Sequence, residues 1–133
     1  MTVTIDVSGT IVILLHKTKA RKFSRVLQEA ELVTAPDLYI AELTNTLWKY
    51  HAAKELDKDV CLRYIQEGIN FVDKFVDSKE VWREAFVEGV NSGHSIYDML
   101  YMITARRNSG ILITNDAVLA AICKKNHVQI CYS

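Results

Sequence analysis

The stretch "ILITNDAVLAAICKK", residues 111–125, decides how the chain must be organised. Ile111 to Thr114 is a short apolar run without alternation, the pattern of a strand buried on both faces. Asn115-Asp116 breaks it, and Ala117 to Lys125 then reads as a helix. Asp116 stands where a side chain can cap that helix, and Lys124 and Lys125 suit its negative pole. A buried strand passing through a tight polar turn into a helix belongs to an α/β fold with a mainly parallel sheet.

The same alternation extends in both directions. "TVTIDV", residues 2–7, alternates and is β-branched, as a strand would be. Gly9 to Lys17 fits either a strand or a short buried helix, since Ile11, Val12 and Ile13 suit both. Lys19 to Ala30 places Phe23, Val26 and Leu27 on one helical face. "LVTA", 32–35, is a short strand. Pro36-Asp37 opens a long helix from Leu38 to about Lys54, with Asp37 in the cap position. A further helix runs from Asp57 to about Phe71, "KFVD" (74–77) makes a short strand, and Lys79 to Val90 is a helix ending near Gly93. "HSIYDMLYMITARR", 94–107, is a helix stopped by Gly110, and "VQICY", 128–132, is a last strand. With one Pro, five Gly and no linker or repeat, residues 1–133 form a single domain. Its architecture is a helix-rich α/β/α sandwich around a mainly parallel sheet.

Composition narrows the classes of function. The chain of 133 residues is half hydrophobic, and its 16 basic and 16 acidic residues cancel. Without a global basic field, any nucleic-acid binding must come from a local patch. Cys61, Cys123 and Cys131 are widely spaced and form no C-x-x-C, which argues against a disulfide framework or zinc site and fits a reducing cytoplasm. The longest apolar run, Ile11 to Leu15, is far too short to span a bilayer, and no signal-like segment opens the chain. The expectation is a cytoplasmic protein without a membrane association.

Four acids then stand out. In open α/β sheets ligands collect beyond the carboxyl ends of the strands, where Asp6 and Asp116 fall. Glu42 lies on the helix from Leu38, with Asn45, Thr46 and Lys49 at i+3, i+4 and i+7. Asp98 sits in an apolar segment where a buried, unpaired carboxylate would be costly. Each has a plain alternative. Asp116 can cap its helix, Asp6 can bond nearby amides, Glu42 can belong to a solvated stripe, and Ser95-Ile96-Tyr97-Asp98 has the form of a capping box. Taken together, four acids facing one crevice would repel one another without a cation. Oxygen ligands of this kind suit Mg²⁺ or Mn²⁺, and such an ion supports phosphoryl chemistry.

Four segments, in order, resemble a PIN domain. "IDVSGTIVILL" is similar to the first-strand motif with its Asp and Ser. "APDLYIAELTNTLWKY" resembles the segment carrying the family Glu, with Asn45 three residues later. "HSIYDMLYMITARR" is similar to the helix with the third acid, and "ILITNDAVLAAICKK" to the T-x-D segment after the fourth strand. In size the chain resembles the VapC-type toxins of prokaryotic toxin–antitoxin pairs. The resemblance implies a metal-dependent endoribonuclease using one or two Mg²⁺ or Mn²⁺ ions, held by Asp6, Glu42, Asp98 and Asp116. Ser8, Asn45, Thr114 and Asn115 would be supporting or substrate-orienting groups. It also implies an RNA substrate, a small antitoxin partner and a homodimer, for which the aromatic-rich helix from Leu38 to His51 is a contact surface.

Two other readings use the same residues. Asp6-Val7-Ser8-Gly9-Thr10 resembles the nucleophile loop of haloacid-dehalogenase-type phosphotransferases, with Ser8 in place of their second acid. Alternatively the acids are only caps, and the chain is an RNA- or partner-binding module. "HKTKARKFSR", with Lys17, Lys19, Arg21, Lys22 and Arg25, could then hold phosphates, as could Lys49, Arg106-Arg107 and Lys124-Lys125. The four histidines form no ligand spacing and read as surface or packing residues. Tyr39, Trp48 and Tyr50 read as core or dimer contacts.

Overall fold

A computed structural model describes residues 1–16 and 18–132. Its elements are β1 (Thr2–Ile5), α1 (Val7–Leu15), α2 (Arg21–Glu29), β2 (Leu32–Pro36), α3 (Leu38–Ala52), α4 (Lys58–Asn70), β3 (Lys74–Val76), α5 (Ser78–Ser92), α6 (Ile96–Arg107), β4 (Ile111–Thr114), α7 (Ala117–Lys125) and β5 (Gln129–Tyr132). The five strands form one sheet in the order β3-β2-β1-β4-β5. Every pairing is parallel, so the sheet is wholly rather than mainly parallel; Val3 lies between Val33 of β2 and Ile111 of β4.

Chain order runs outward from β1 in one direction to β2 and β3, then crosses to β4 and β5. Right-handed crossovers therefore send α1–α4 to one face and α5–α7 to the other. The sheet is covered on both sides, as the unbroken apolar pattern of β4 requires. Val3, Ile5, Leu112 and Ile113 have no measurable exposure, and Met99, Met102 and Ile103 of α6 and Leu43 and Leu47 of α3 are equally buried. A side chain of this kind contributes roughly 1.5–3 kcal/mol on burial. Helix α6 packs across β2, β1 and β4, so its apolar character reflects a position inside the sandwich.

Three local expectations need correction. The segment open between strand and helix is helix α1, and it starts at Val7, so β1 is shorter than the run 2–7. Asp6 caps it, accepting from Gly9 N at 2.8 Å. Gly9 is required by packing: a Cβ there would lie 2.9 Å from Ile113 Cγ2 and 3.0 Å from Ile113 O. Asp37 does not cap α3. Its own backbone is already helical, and its carboxylate accepts from Ser78 N (3.0 Å) and Ser78 Oγ (2.6 Å) at the start of α5. The capping box at α6 is half made. Ser95 Oγ accepts from Tyr97 N at 3.2 Å, but Asp98 turns to His94 instead of the cap amide.

The three cysteines are free and buried. No helix among the described residues is long and apolar enough to cross a membrane.

Candidate active site

The sheet reverses its direction of winding between β1 and β4, and a crevice of about 400 Å³ opens there, lined among others by Asp6, Ser8, Glu42, Asp98, Asn115 and Asp116. This is where an open parallel sheet presents its strand ends to ligands. The four acids expected from the sequence all line it, from four different elements or their caps.

Asp6 is the most enclosed, only 5 % exposed. Its Oδ1 accepts from Ser8 Oγ (2.7 Å) and Gly9 N (2.8 Å), and its Oδ2 from Thr114 Oγ1 (2.5 Å). Asn115 N donates to Ser8 Oγ at 2.8 Å, and Asp116 N to Thr114 Oγ1 at 3.0 Å. One polar lattice therefore ties the turn after β1 to the turn after β4. Burial pushes the Asp6 carboxyl up to about 6; the bonds from Thr114, Gly9 and Ser8 oppose this, and the charge of Asp98 adds to it. Burial likewise raises Glu42, against the bond it accepts from Tyr101 and with the charge of Asp98. Asp98 therefore bears electrostatically on both Asp6 and Glu42.

Each remaining acid is held by a donor of its own. Glu42 Oε1 accepts from the Tyr101 hydroxyl at 2.5 Å. Asp98 Oδ2 accepts from His94 Nε2 at 2.7 Å. Asp116 Oδ1 caps α7, accepting from Val118 N (2.9 Å) and Leu119 N (3.0 Å). The cap reading and the crevice reading of Asp116 are thus both satisfied by one side chain.

The donor chemistry fits a hard divalent cation. Carboxylate oxygens dominate the crevice, and burial together with the charges of Asp6 and Asp98 pushes the nearby Cys123 thiol up to about 12, so it offers no competing thiolate. A cation would offset the charge of Asp98, which adds to burial in raising Asp6 and Glu42. Among the described residues, no group of three or more His, Cys, Asp or Glu side chains is arranged to hold an ion as it stands.

The supporting residues divide. Ser8, Thr114 and Asn115 are joined to Asp6 as described. Asn45 is not in the crevice: the stripe from Glu42 continues through Thr46 and Tyr50, whereas Asn45 lies with Ala41, Thr44 and Trp48 in a shallow depression. A step of three residues carries a side chain to the other flank of a helical stripe, away from the i+4 side that faces the crevice here. Lys19, Arg21 and Lys49 are exposed and do not line the crevice, and Lys17 lies outside the described residues. Tyr39 is core, packed near Phe75, while Trp48 is 60 % exposed.

Four lining or anchoring groups were not expected at the site: His16, His94, Tyr101 and Tyr50, the last read from the sequence as a core or dimer contact. Of these, His94 carried a usable signal, since it stands four residues before Asp98. His94 is therefore neither a free surface residue nor core packing.

Comparison with known proteins adds an independent line. A sequence model of the family described as PIN domain matches residues 3–125. Ribonuclease VapC3 of Pyrobaculum aerophilum is 26 % identical over 122 residues, covering 90 % of this chain and 93 % of the relative. Among solved structures, the fold is similar to PAE2754 from Pyrobaculum aerophilum, with a TM-score of 0.73, 22 % identity, and coverage of 98 % of this chain and 83 % of that one. It is also similar to VapBC2 from Rickettsia felis, solved bound to a DNA fragment from their promoter, with a TM-score of 0.68, 13 % identity, and coverage of 99 % and 98 %.

Proposed function

The chain belongs to the PIN domain family, and from that premise we propose that it is a Mg²⁺- or Mn²⁺-dependent endoribonuclease, the toxin of a type II toxin–antitoxin pair acting in the cytoplasm. The observation that carries this reading is the convergence of Asp6, Glu42, Asp98 and Asp116 on one crevice at the β1/β4 strand ends. The relative named as a ribonuclease, matched along nearly its whole length, supports the choice of RNA. The phosphotransferase reading of Asp6 has less to stand on: Ser8 stands where that loop has its second acid, and the family model that matches residues 3–125 is the PIN domain.

Asp6, Glu42, Asp98 and Asp116 would hold one or two ions. Such an ion would lower the pKa of an attacking water and offset charge on the phosphate oxygens. The chain's own groups fix the geometry. Ser8, Gly9 and Thr114 hold Asp6 rigid, α7 holds Asp116, and the buried wall behind Asp6 keeps bulk water from one side of the scissile phosphate. Exposed Lys19, Arg21 and Lys49 would take the flanking RNA phosphates.

A water attacking phosphorus expels the 3′ oxygen and leaves 5′-phosphate and 3′-hydroxyl ends. Incubation of the purified chain with structured and single-stranded RNAs, followed by end-group analysis, is expected to show these termini with Mn²⁺ and no cleavage with excess chelator. Ends carrying 2′,3′-cyclic phosphate, or cleavage that survives the chelator, would sink the hydrolytic reading.

The partners follow from the same reading. A small antitoxin would cover the crevice, and an Arg fork suits its carboxylates. Two copies of this chain would pair through α3, where Ile40 and Trp48 are exposed, an apolar surface that suits association. Co-expression with the neighbouring reading frame is expected to yield a complex, and light scattering of the chain alone a dimer at micromolar concentration. A monomer, or a chain that captures nothing from its own operon and is harmless when expressed alone, would remove these two assignments in turn.

A further inference from the structure

Tyr101 has a hydroxyl that its packing does not need. The ring is 1 % exposed, and a phenylalanine would fill the same space. A buried hydroxyl is costly unless it is bonded, and this one spends its proton on Glu42 Oε1. Among the described residues Glu42 has no ion pair with a basic side chain. Its remaining crevice neighbours include a like charge, Asp98. A free glutamate has several rotors, and holding one of its oxygens removes much of that freedom.

We propose that Tyr101 is a positioning residue for Glu42: its hydroxyl fixes Oε1 against the α6 wall, so that Oε2 is left as the cation ligand. Helix α6 thereby supplies one acid, Asp98, and three residues later the anchor of another acid on the facing helix α3. The inference rests on the cation reading above. It makes Tyr101 a determinant of metal affinity without contact to RNA, since its ring is shut away from solvent. Bonds of this outer kind typically change metal affinity by 10–100-fold.

The test is Mn²⁺ titration of the full chain by calorimetry, without RNA. Tyr101→Phe is expected to fold, by circular dichroism, and to weaken Mn²⁺ binding by roughly 10–100-fold. In a Glu42→Gln background the same substitution is expected to change the affinity little further, because the group it acts through has lost its charge. Incorporation of 4-aminophenylalanine at position 101 returns a donor and is expected to restore most of the affinity. It also decides the case if Tyr101→Phe does not fold. Unchanged Mn²⁺ affinity in folded Tyr101→Phe, a full additional loss in the Glu42→Gln background, or failure of the donor-bearing analogue to bind like the parent would overturn the proposal. Failure of the underlying reading looks different: Glu42→Gln and Asp98→Asn would then bind Mn²⁺ as the parent does, or the parent would not bind it at all.

Discussion

Asp98→Asn is expected to fold, to lie within about 1 kcal/mol of the parent in stability, and to lose Mn²⁺-dependent RNA cleavage by roughly a hundredfold or more. The two halves of this result separate the two readings of Asp98. Its visible structural duties are modest: one bond from His94, with both side chains partly open to solvent, and a favourable place in the first turn of α6. Asparagine keeps an acceptor for the His94 N–H and keeps the shape. What it removes is one negative charge, the charge that bears on both Asp6 and Glu42. If Asp98 serves only to hold His94 and the first turn of α6, only stability moves. On the cation reading affinity for the ion and turnover fall together while melting barely changes. Urea unfolding, Mn²⁺ titration and a cleavage assay on one preparation decide between them, and undiminished cleavage by folded Asp98→Asn would falsify the ligand assignment.

The second large effect is on stability and depends on pH. The Asp6 carboxyl is raised from 3.8 to about 6, chiefly by burial. A raised acid contributes stability that is fully present below 3.8 and lost as pH rises through 6. Above pH 6 the metal-free fold therefore carries the cost of a buried charge, about 3 kcal/mol for a shift of this size. Asp6→Asn removes that charge. In chelator at pH 8 the variant is expected to be more stable than the parent by up to about 3 kcal/mol, less what Thr114 loses in turning its hydroxyl. Near pH 4 the advantage should vanish. Mn²⁺ should then stabilise the parent, by an amount that grows with the logarithm of the ion's concentration once above the Kd, and leave the variant nearly unmoved. Urea melts at the two pH values, with and without Mn²⁺, read all of this. A difference between parent and variant that is the same at pH 4 and pH 8 would show that the buried charge is not the cause.

Much of this was legible in residues 111–125 and their counterparts. An unbroken apolar β4, the polar break and α7 with Asp116 before it follow from burial and capping alone, and the parallel sheet follows from repeating that unit. The positions of Asp6 and Asp116 were legible for the same reason, because strand ends are where such sheets gather ligands. What escaped the sequence depended on partners distant in the chain. Gly9 looks unsuited to a helix until Ile113 is seen pressed against it. Asp37 looks like the cap of the helix that follows, yet its bond is to Ser78, 41 residues on. Asn45 and Thr46 are equally plausible companions of Glu42 by spacing, and only the packing of α3 decides which flank meets the crevice. Tyr101 reads as one more apolar residue of α6 because its hydroxyl's partner lies on another helix.

The strand order β3-β2-β1-β4-β5 has a consequence for the timing of synthesis. The first strand made is the middle strand of the finished sheet, and its β4 side stays vacant until residues 111–114 have left the ribosome. Before then Asp6 lacks the Thr114 hydroxyl, Ser8 has no Asn115 amide to receive, and Asp116 does not exist. A nascent chain can assemble β1, β2 and β3 and bury part of its core while three of the four acids have no fourth. The crevice therefore gains its full set of four acids only once the chain has been made past residue 116.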